Sequence, residues 1–174
     1  WGCDPLASNR MVPNTIHRFH EILARGTVVA VDPRLSNSAA KAQEWLPIKP
    51  GSEAALALAM AYVLVSERGD THGLASALSP YTPAMAAQET GLPAEQIERL
   101  AREFAAARPS LAVAGGIAAQ HAAATEVCAA VNVLNFMAGN IGETVRFGAN
   151  PPMADGYAGL AGLAQAMDGG EVAV

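Results

Sequence analysis

The sequence feature that most constrains the fold is a short valine-rich run, residues 27–31, that ends on Asp32 and Pro33. A continuous apolar run of this length is typical of a parallel strand whose two faces are both covered. Parallel strands need long crossover connections, which are usually helices. The run therefore predicts an α/β fold in which helices cover a parallel sheet.

Helical and strand patterns alternate along the rest of the chain. Apolar spacing, capping residues and first-turn prolines predict helices over residues 13–26, 36–43, 52–67, 83–91, 93–107, 118–139 and 157–170. Short apolar runs predict strands over residues 1–3, 27–32, 45–49, 110–116 and 171–174. Ser52 is the predicted N-cap of the third helix, and Glu53 lies where the helix dipole favours an acid. This order predicts a three-layer, Rossmann-like parallel-sheet lobe.

We expect four segments within the chain. Residues 1–67 form a first βαβ-like half, and residues 68–80 form a connecting loop. Residues 81–142 hold a helical pair and a second strand–glycine–helix unit, and residues 143–174 hold a loop, a helix and the start of a further strand. Because the first residue is Trp1 and not Met, and a strand is beginning at the far end, we expect an excerpt of a larger multidomain subunit.

Composition and residue spacing exclude several classes of function. The 174 residues carry a net charge of −5 without a Lys/Arg cluster, so nucleic acid is not an expected partner. The longest apolar run, residues 54–65, is too short to span a bilayer. Cys3 and Cys128 lack metal-ligand spacing, and His17 and His20 lack a third ligand. The sequence has no Ser-His-Asp order and no paired carboxylates that would indicate a catalytic group.

In parallel α/β sheets, ligands bind beyond the carboxyl ends of the strands. In this sequence, the loops at those ends are residues 2–8, 32–38 and 115–121. An acid placed like Asp32 can accept hydrogen bonds from both hydroxyls of a nucleotide ribose, and Arg34 can bind a phosphate. The alternative is that these residues form only a turn. Both interpretations stay open on spacing alone.

The other two loops have weaker patterns. The first has a single glycine, Gly2, and no Gly-x-Gly-x-x-Gly, which argues against an ordinary dehydrogenase. Ser8 can donate to a phosphate or cap the next helix. Gly116 precedes a predicted helix whose first amides can bind an anion, with Gln120 and His121 in its first turns. The alternative there is a helix-entry turn.

Three stretches, residues 1–8, 28–65 and 91–142, together resemble the large subunit of the molybdopterin guanine dinucleotide oxidoreductases, the dimethyl sulfoxide reductase family. The branch that looks most similar contains polysulfide and thiosulfate reductases and the molybdopterin-like subunit of alternative complex III. In this family, Asp-Pro-Arg is expected to hold a guanosine ribose, and the acid of a Pro-Gly-Thr-Asp element to pair with the guanine edge. The resemblance implies cofactor-binding roles in four loops: Gly2, Cys3, Asp4 and Ser8; Asp32, Pro33 and Arg34; Gly51, Ser52 and Glu53; and Gly116, Gln120 and His121.

The resemblance also implies a cofactor and partners. The cofactor is molybdopterin guanine dinucleotide with molybdenum or tungsten, and a 4Fe-4S cluster is expected elsewhere in the full subunit. This segment would position the cofactor and would contain no catalytic residue. The expected partners are the remainder of the large subunit, an iron–sulfur electron-transfer subunit and a membrane quinone-reactive subunit. The implied setting is anaerobic respiration on the periplasmic side of the bacterial inner membrane, with the cytoplasm as the alternative.

Two alternatives remain. Asp4 stands where the family usually has asparagine, and Glu53 replaces aspartate, which suits a cofactor-free scaffold in a respiratory quinol-oxidising membrane complex. The second alternative is another nucleotide-binding α/β enzyme domain, because residues 110–139 also look like the middle domain of thiamine-diphosphate enzymes.

Overall fold

The computed structural model describes residues 1–7, 14–69, 73–148 and 157–172. Over these residues the secondary structure is α1 (Thr15–Arg25), β1 (Val29–Val31), β2 (Glu44–Leu46), α2 (Glu53–Arg68), α3 (Ala75–Leu78), α4 (Pro83–Thr90), α5 (Ala94–Ala106), a 3₁₀ helix (Gly116–Ala119), α6 (Ala124–Met137) and α7 (Tyr157–Asp168). The protein is therefore a mixed α/β structure, mostly helical, with a small parallel sheet.

The valine-rich run forms β1, as predicted, and this strand has hydrogen-bonded neighbours on both sides. β1 pairs with β2 in parallel, with Val31 opposite Leu46. Backbone hydrogen bonds continue this arrangement on the other side of β1. The Gly2 amide donates to the Val31 carbonyl (2.8 Å), and the Gly115 amide donates to the Trp1 carbonyl (3.2 Å). The first residues of the chain thus lie between β1 and the segment around Gly115.

Residues 110–116 do not form the regular strand that their sequence predicts, and a side chain explains why. The amide group of Asn135 on α6 accepts from the Ala112 N–H (2.9 Å) and donates to the Ala112 carbonyl (2.8 Å). Asn140 donates to Asn135 and accepts from the Ser110 hydroxyl. Because buried backbone groups need partners, these side chains replace a neighbouring strand. A three-layer Rossmann-like sheet stays a prediction.

Helix α2 is the centre of the core. It packs against α4, α5 and α6, and both Leu56 and Leu64 are fully buried. A helix that is apolar on every side is typical of such a central position. The core cluster takes residues from both predicted halves, from Val31 to Leu134. The division into segments 1–67, 68–80, 81–142 and 143–174 stays a prediction.

Several helix ends lie where capping residues predict them. Thr82 caps α4 by accepting a hydrogen bond from the Met85 amide (3.2 Å), and α4 ends at Gly91 in the left-handed conformation. α5 begins directly after Pro93. No helix among the described residues has the length and apolarity needed to cross a membrane.

The predicted helix over residues 36–43 is wrong, because the segment ends after a few turns. The Ala39 amide donates to the Ser36 hydroxyl, as at a helix N-cap, and the Ser38 amide donates to the Asp4 carboxylate. The Ala40 and Ala42 amides donate to the Ser36 and Ser38 carbonyls, four residues earlier (2.8 and 3.0 Å). The Gln43 amide instead donates to the Val28 carbonyl beside β1 (3.0 Å), so the turns stop there.

The predicted helix over residues 118–139 is also partly wrong. Gly115 and Gly116 have φ angles of 157° and 55°. A 3₁₀ turn follows them, and α6 begins only at Ala124. Gln120 and His121 therefore lie in the turn before α6, and not on the first turns of a helix.

Candidate functional site

Three buried acids lie at the carboxyl-end side of the small sheet. Asp4, Asp32 and Glu53 come from the first loop, the end of β1 and the start of α2, and they are 4%, 2% and 2% exposed. Acids are almost never this buried unless they are paired. Their hydrogen bonds therefore decide which of them belongs to the framework and which is available to a ligand.

Asp32 has one carboxylate oxygen in a turn and one without a partner. Oδ1 accepts from the Arg34 amide (3.0 Å), and the Asp32 carbonyl accepts from the Trp45 indole (2.8 Å). Oδ2 is buried and has no hydrogen-bond partner. Pro33 lies within this turn, and the Arg34 side chain is exposed. The turn interpretation of Asp-Pro-Arg and a ligand-binding role for Asp32 are thus compatible.

Glu53 is the first residue of α2, where the helix dipole stabilises a negative charge. Its Oε2 is buried without a hydrogen-bond partner, 4.0 Å from Nε2 of His121. Gly51 precedes it in a turn with φ 87°. Ser52 occupies the N-cap position, but the predicted cap bond is absent. The Ser52 hydroxyl instead donates to the Lys49 carbonyl (2.6 Å).

His121 is held in one tautomer by its own turn. Its Nδ1 accepts a hydrogen bond from the Ala123 amide (3.2 Å), so Nε2 carries the hydrogen of the neutral ring. Nε2 is buried without a partner, although the side chain as a whole is 30% exposed. The neighbouring Gln120 is exposed. Of these two predicted residues, the structure brings His121 to the buried acids.

Gly2 and Gly116 allow two loops to pack backbone to backbone. A Cβ atom on Gly116 would lie 2.2 Å from the Gly2 carbonyl oxygen, and one on Gly2 would lie 2.5 Å from the Ala118 nitrogen. Both residues have positive φ angles. The space beside the Gly2 Cα is therefore filled by this chain's own backbone, and the glycine is needed for that packing.

The remaining predicted residues of the first loop have framework contacts or lie outside the described part. Asp4 Oδ1 accepts from both the amide (3.1 Å) and the hydroxyl (2.6 Å) of Ser38. Cys3 is partly buried, and it and Cys128 are free cysteines. Ser8 lies outside the described residues.

Trp1 carries a buried polar atom that sequence analysis does not single out. Its indole Nε1 is buried without a hydrogen-bond partner, while its ring packs against the core cluster. A tryptophan at a strand end is more often a core residue, so the sequence pattern predicts no ligand contact for it.

Four buried polar atoms of the described residues thus lack partners, namely Asp32 Oδ2, Glu53 Oε2, His121 Nε2 and Trp1 Nε1. Buried polar atoms are normally hydrogen-bonded, so such a group needs an explanation. Two are acceptors and two are donors. Glu53 Oε2 and His121 Nε2, 4.0 Å apart, would offer a ligand one acceptor and one donor side by side. Across the described residues, no group of three or more His, Cys, Asp or Glu side chains is arranged to hold a metal ion.

Comparisons with known proteins agree with one another. The family model described as "Molybdopterin oxidoreductase" matches residues 1–170. The arsenate respiratory reductase molybdopterin-containing subunit ArrA of Chrysiogenes arsenatis is 40% identical over 147 residues, which cover 65% of this chain and 17% of that protein. The menaquinone reductase molybdopterin-binding-like subunit of Nitratidesulfovibrio vulgaris is 34% identical over 118 residues, with coverages of 65% and 17%. The thiosulfate reductase subunit PhsA of Salmonella typhimurium is 37% identical over 100 residues, with coverages of 51% and 13%.

A solved structure shares the fold. Acetylene hydratase from Pelobacter acetylenicus superimposes with a TM-score of 0.64 at 24% identity, covering 73% of this chain and 20% of that one. The matched region is thus a small part of each relative. It spans about 17% of the length of two curated relatives.

Proposed function

This chain belongs to the molybdopterin oxidoreductase family, and on that premise we propose that it forms the lobe of a catalytic subunit that binds the guanosine side of molybdopterin guanine dinucleotide. The observation that carries the proposal is the pair of buried carboxylate oxygens without partners, Asp32 Oδ2 and Glu53 Oε2. Both acids lie at the sheet's carboxyl-end side, where α/β proteins bind nucleotides. We expect the lobe's fold to be the three-layer Rossmann-like type.

Asp32 fits a ribose. A carboxylate accepts hydrogen bonds only, and ribose hydroxyls are donors. Because Oδ1 is fixed by the Arg34 amide, the free Oδ2 has a set direction before any ligand binds. Such preorganisation lowers the cost of binding. The exposed Arg34 side chain is then available to a phosphate of the dinucleotide.

Glu53 fits the N–H edge of a base. A buried carboxylate without a partner is unfavourable, and a base N–H would supply the missing donor. Gly51 and Ser52 would contribute to binding indirectly, because they form the turn that positions Glu53.

The lobe's task is to hold and orient the cofactor. When bound, the cofactor supplies the two-electron redox chemistry through its molybdenum or tungsten centre. Residues of this chain bind the guanosine end, exclude water from it, and fix its position relative to the rest of the subunit. Cys3, Gly116, Gln120 and His121 border the same region in the proposal.

The wider protein is proposed from the relatives. Their names describe reductases of arsenate and thiosulfate and a menaquinone reductase, which suits an electron-transfer chain in anaerobic respiration. The partners would be the remainder of the large subunit, an iron–sulfur subunit and a membrane quinone-reactive subunit, with the 4Fe-4S cluster elsewhere in the large subunit. Helix α7 exposes Leu160, Leu163 and Met167, a surface that the remainder of the subunit would cover. The proposed location is the periplasmic side of the inner membrane.

A cofactor-free scaffold is the second candidate, and one relative favours it. The menaquinone reductase subunit is named as molybdopterin-binding-like. Asp4 does not discriminate between the candidates, since its Oδ1 accepts two hydrogen bonds from Ser38 that an asparagine oxygen would accept equally well. The free oxygens of Asp32 and Glu53 favour a bound ligand. With the family established, the thiamine-diphosphate alternative loses its basis.

The test is cofactor retention in the full-length subunit that carries this lobe. We expect Asp32→Asn to reduce released GMP and bound metal per subunit, because the amide keeps the Arg34 contact and replaces the free acceptor by a donor. Loss of a hydrogen bond to a charged group weakens binding roughly tenfold or more. Asp168→Asn, which changes an exposed acid on α7, is the matched control. Unchanged GMP and metal in Asp32→Asn would count against the proposal.

A further inference from the structure

His121 and Glu53 present a hydrogen-bond donor and an acceptor next to each other. The Nε2 and Oε2 atoms are 4.0 Å apart, which is too far for a hydrogen bond. Neither atom has another partner. The Ala123 amide occupies Nδ1, so the hydrogen of the neutral ring is on Nε2. The chain thus holds one N–H and one carboxylate oxygen side by side, both unsatisfied.

The two side chains differ in exposure. Glu53 is 2% exposed at the start of α2, while the His121 side chain is 30% exposed and lies in the turn before α6. Of this pair, His121 is therefore the residue closer to solvent, and Glu53 lies behind it.

We propose that His121 is a specificity-determining residue of the nucleotide site, donating to a base carbonyl oxygen while Glu53 accepts from the adjacent base N–H. The inference deepens the proposed function and rests on it. An adjacent N–H and C=O is the edge of guanine and of hypoxanthine. Adenine has an amino donor where guanine has O6, so its edge would place a donor against the histidine N–H and an acceptor against the carboxylate. Such mismatches discriminate strongly at a desolvated site.

The experiment is isothermal titration calorimetry of the full-length subunit, prepared without cofactor, using GMP, IMP and AMP as probes. We expect the wild type to bind GMP and IMP more tightly than AMP. His121→Phe keeps a ring of similar size and removes the donor. It should weaken GMP and IMP binding by roughly five- to tenfold each, and it should not weaken AMP binding, because the donor that opposes the adenine amino group is removed.

His121→Gln is the matched variant, because its amide retains an N–H donor, and it should restore most of the GMP affinity. Circular dichroism shows whether each variant is folded. An equal loss for all three nucleotides in His121→Phe, or an unchanged preference for GMP and IMP, would overturn the role of His121. Glu53→Gln separates this failure from that of the proposed function. If Glu53→Gln abolishes the preference and His121→Phe does not, the nucleotide site stands and the inference fails. If the wild type binds no nucleotide, both fail.

Discussion

At the scale of single residues, the sequence predicts the two central acids but not what faces them. Asp32 follows a valine-rich strand and Glu53 opens a helix, so local patterns place both correctly. The contact of His121 with Glu53 joins residues far apart in the chain. The buried indole N–H of Trp1 likewise depends on packing. Contacts between residues far apart in the chain leave no local sequence pattern from which they could be predicted.

The packing of Gly116 against Gly2 gives a test of the framework at this scale. Gly116→Ala should destabilise the protein by about 3 kcal/mol or more, because its Cβ would lie 2.2 Å from the Gly2 oxygen and its φ is 55°. Gly51→Ala is the control, since its φ is 87° and nothing lies within 4 Å of the added atom. It should cost about 1 kcal/mol. Urea denaturation measures both losses, and equal values would contradict the packing described.

At the scale of elements, helices with their own caps and prolines are predictable, and segments governed by distant side chains are not. α4 and α5 begin where Thr82 and the prolines place them. Residues 36–43 form only turns because the Gln43 amide pairs with the Val28 carbonyl beside β1 instead of continuing a helix. Residues 110–116 fail as a regular strand because Asn135 of α6 takes both backbone groups of Ala112.

An ion pair between α5 and β2 gives a pH-dependent prediction. Burial favours a higher pKa for Glu44, but hydrogen bonds from Arg99 and Gln96 outweigh it and hold the pKa below its ordinary value of 4.5. A lowered pKa stabilises the fold above 4.5, and this contribution is lost as the pH falls through the folded-state pKa. Arg99→Met should therefore cost about 0.5–1 kcal/mol at pH 7, and less at pH 3.

Arg102→Met is the control for this prediction. Arg102 on α5 pairs with Glu98 of the same helix and with Glu67 of α2, and it is more exposed than Arg99. Arg102→Met should therefore cause a smaller loss of stability at pH 7. Urea denaturation of both variants at pH 3 and pH 7 measures the differences. Arg99 also pairs with Glu103 on α5, so a cost of Arg99→Met that does not change with pH would show that its ion pairs with Glu44 and Glu103 do not stabilise the fold.

At the scale of the whole molecule, the described residues share a core cluster around α2, and several apolar side chains outside it are exposed. α2 lies at the centre, and residues of both predicted halves pack around it. The alternation of strands and helices in the sequence does not predict this central position. Leu111 and Val113 at the sheet side and the apolar residues of α7 are about half exposed. The matched region is about 17% of the length of two curated relatives. In the proposed function, the remainder of the subunit would cover these exposed apolar surfaces.

We propose that Asp32 and Glu53 hold the guanosine end of a molybdopterin dinucleotide. To test this, the full-length subunit is purified, and its molybdenum, its tungsten and the nucleotide released by acid hydrolysis are measured. We expect GMP and metal in stoichiometric amounts. A folded, assembled protein that releases no nucleotide and contains no metal would contradict it, and would identify the lobe as a scaffold.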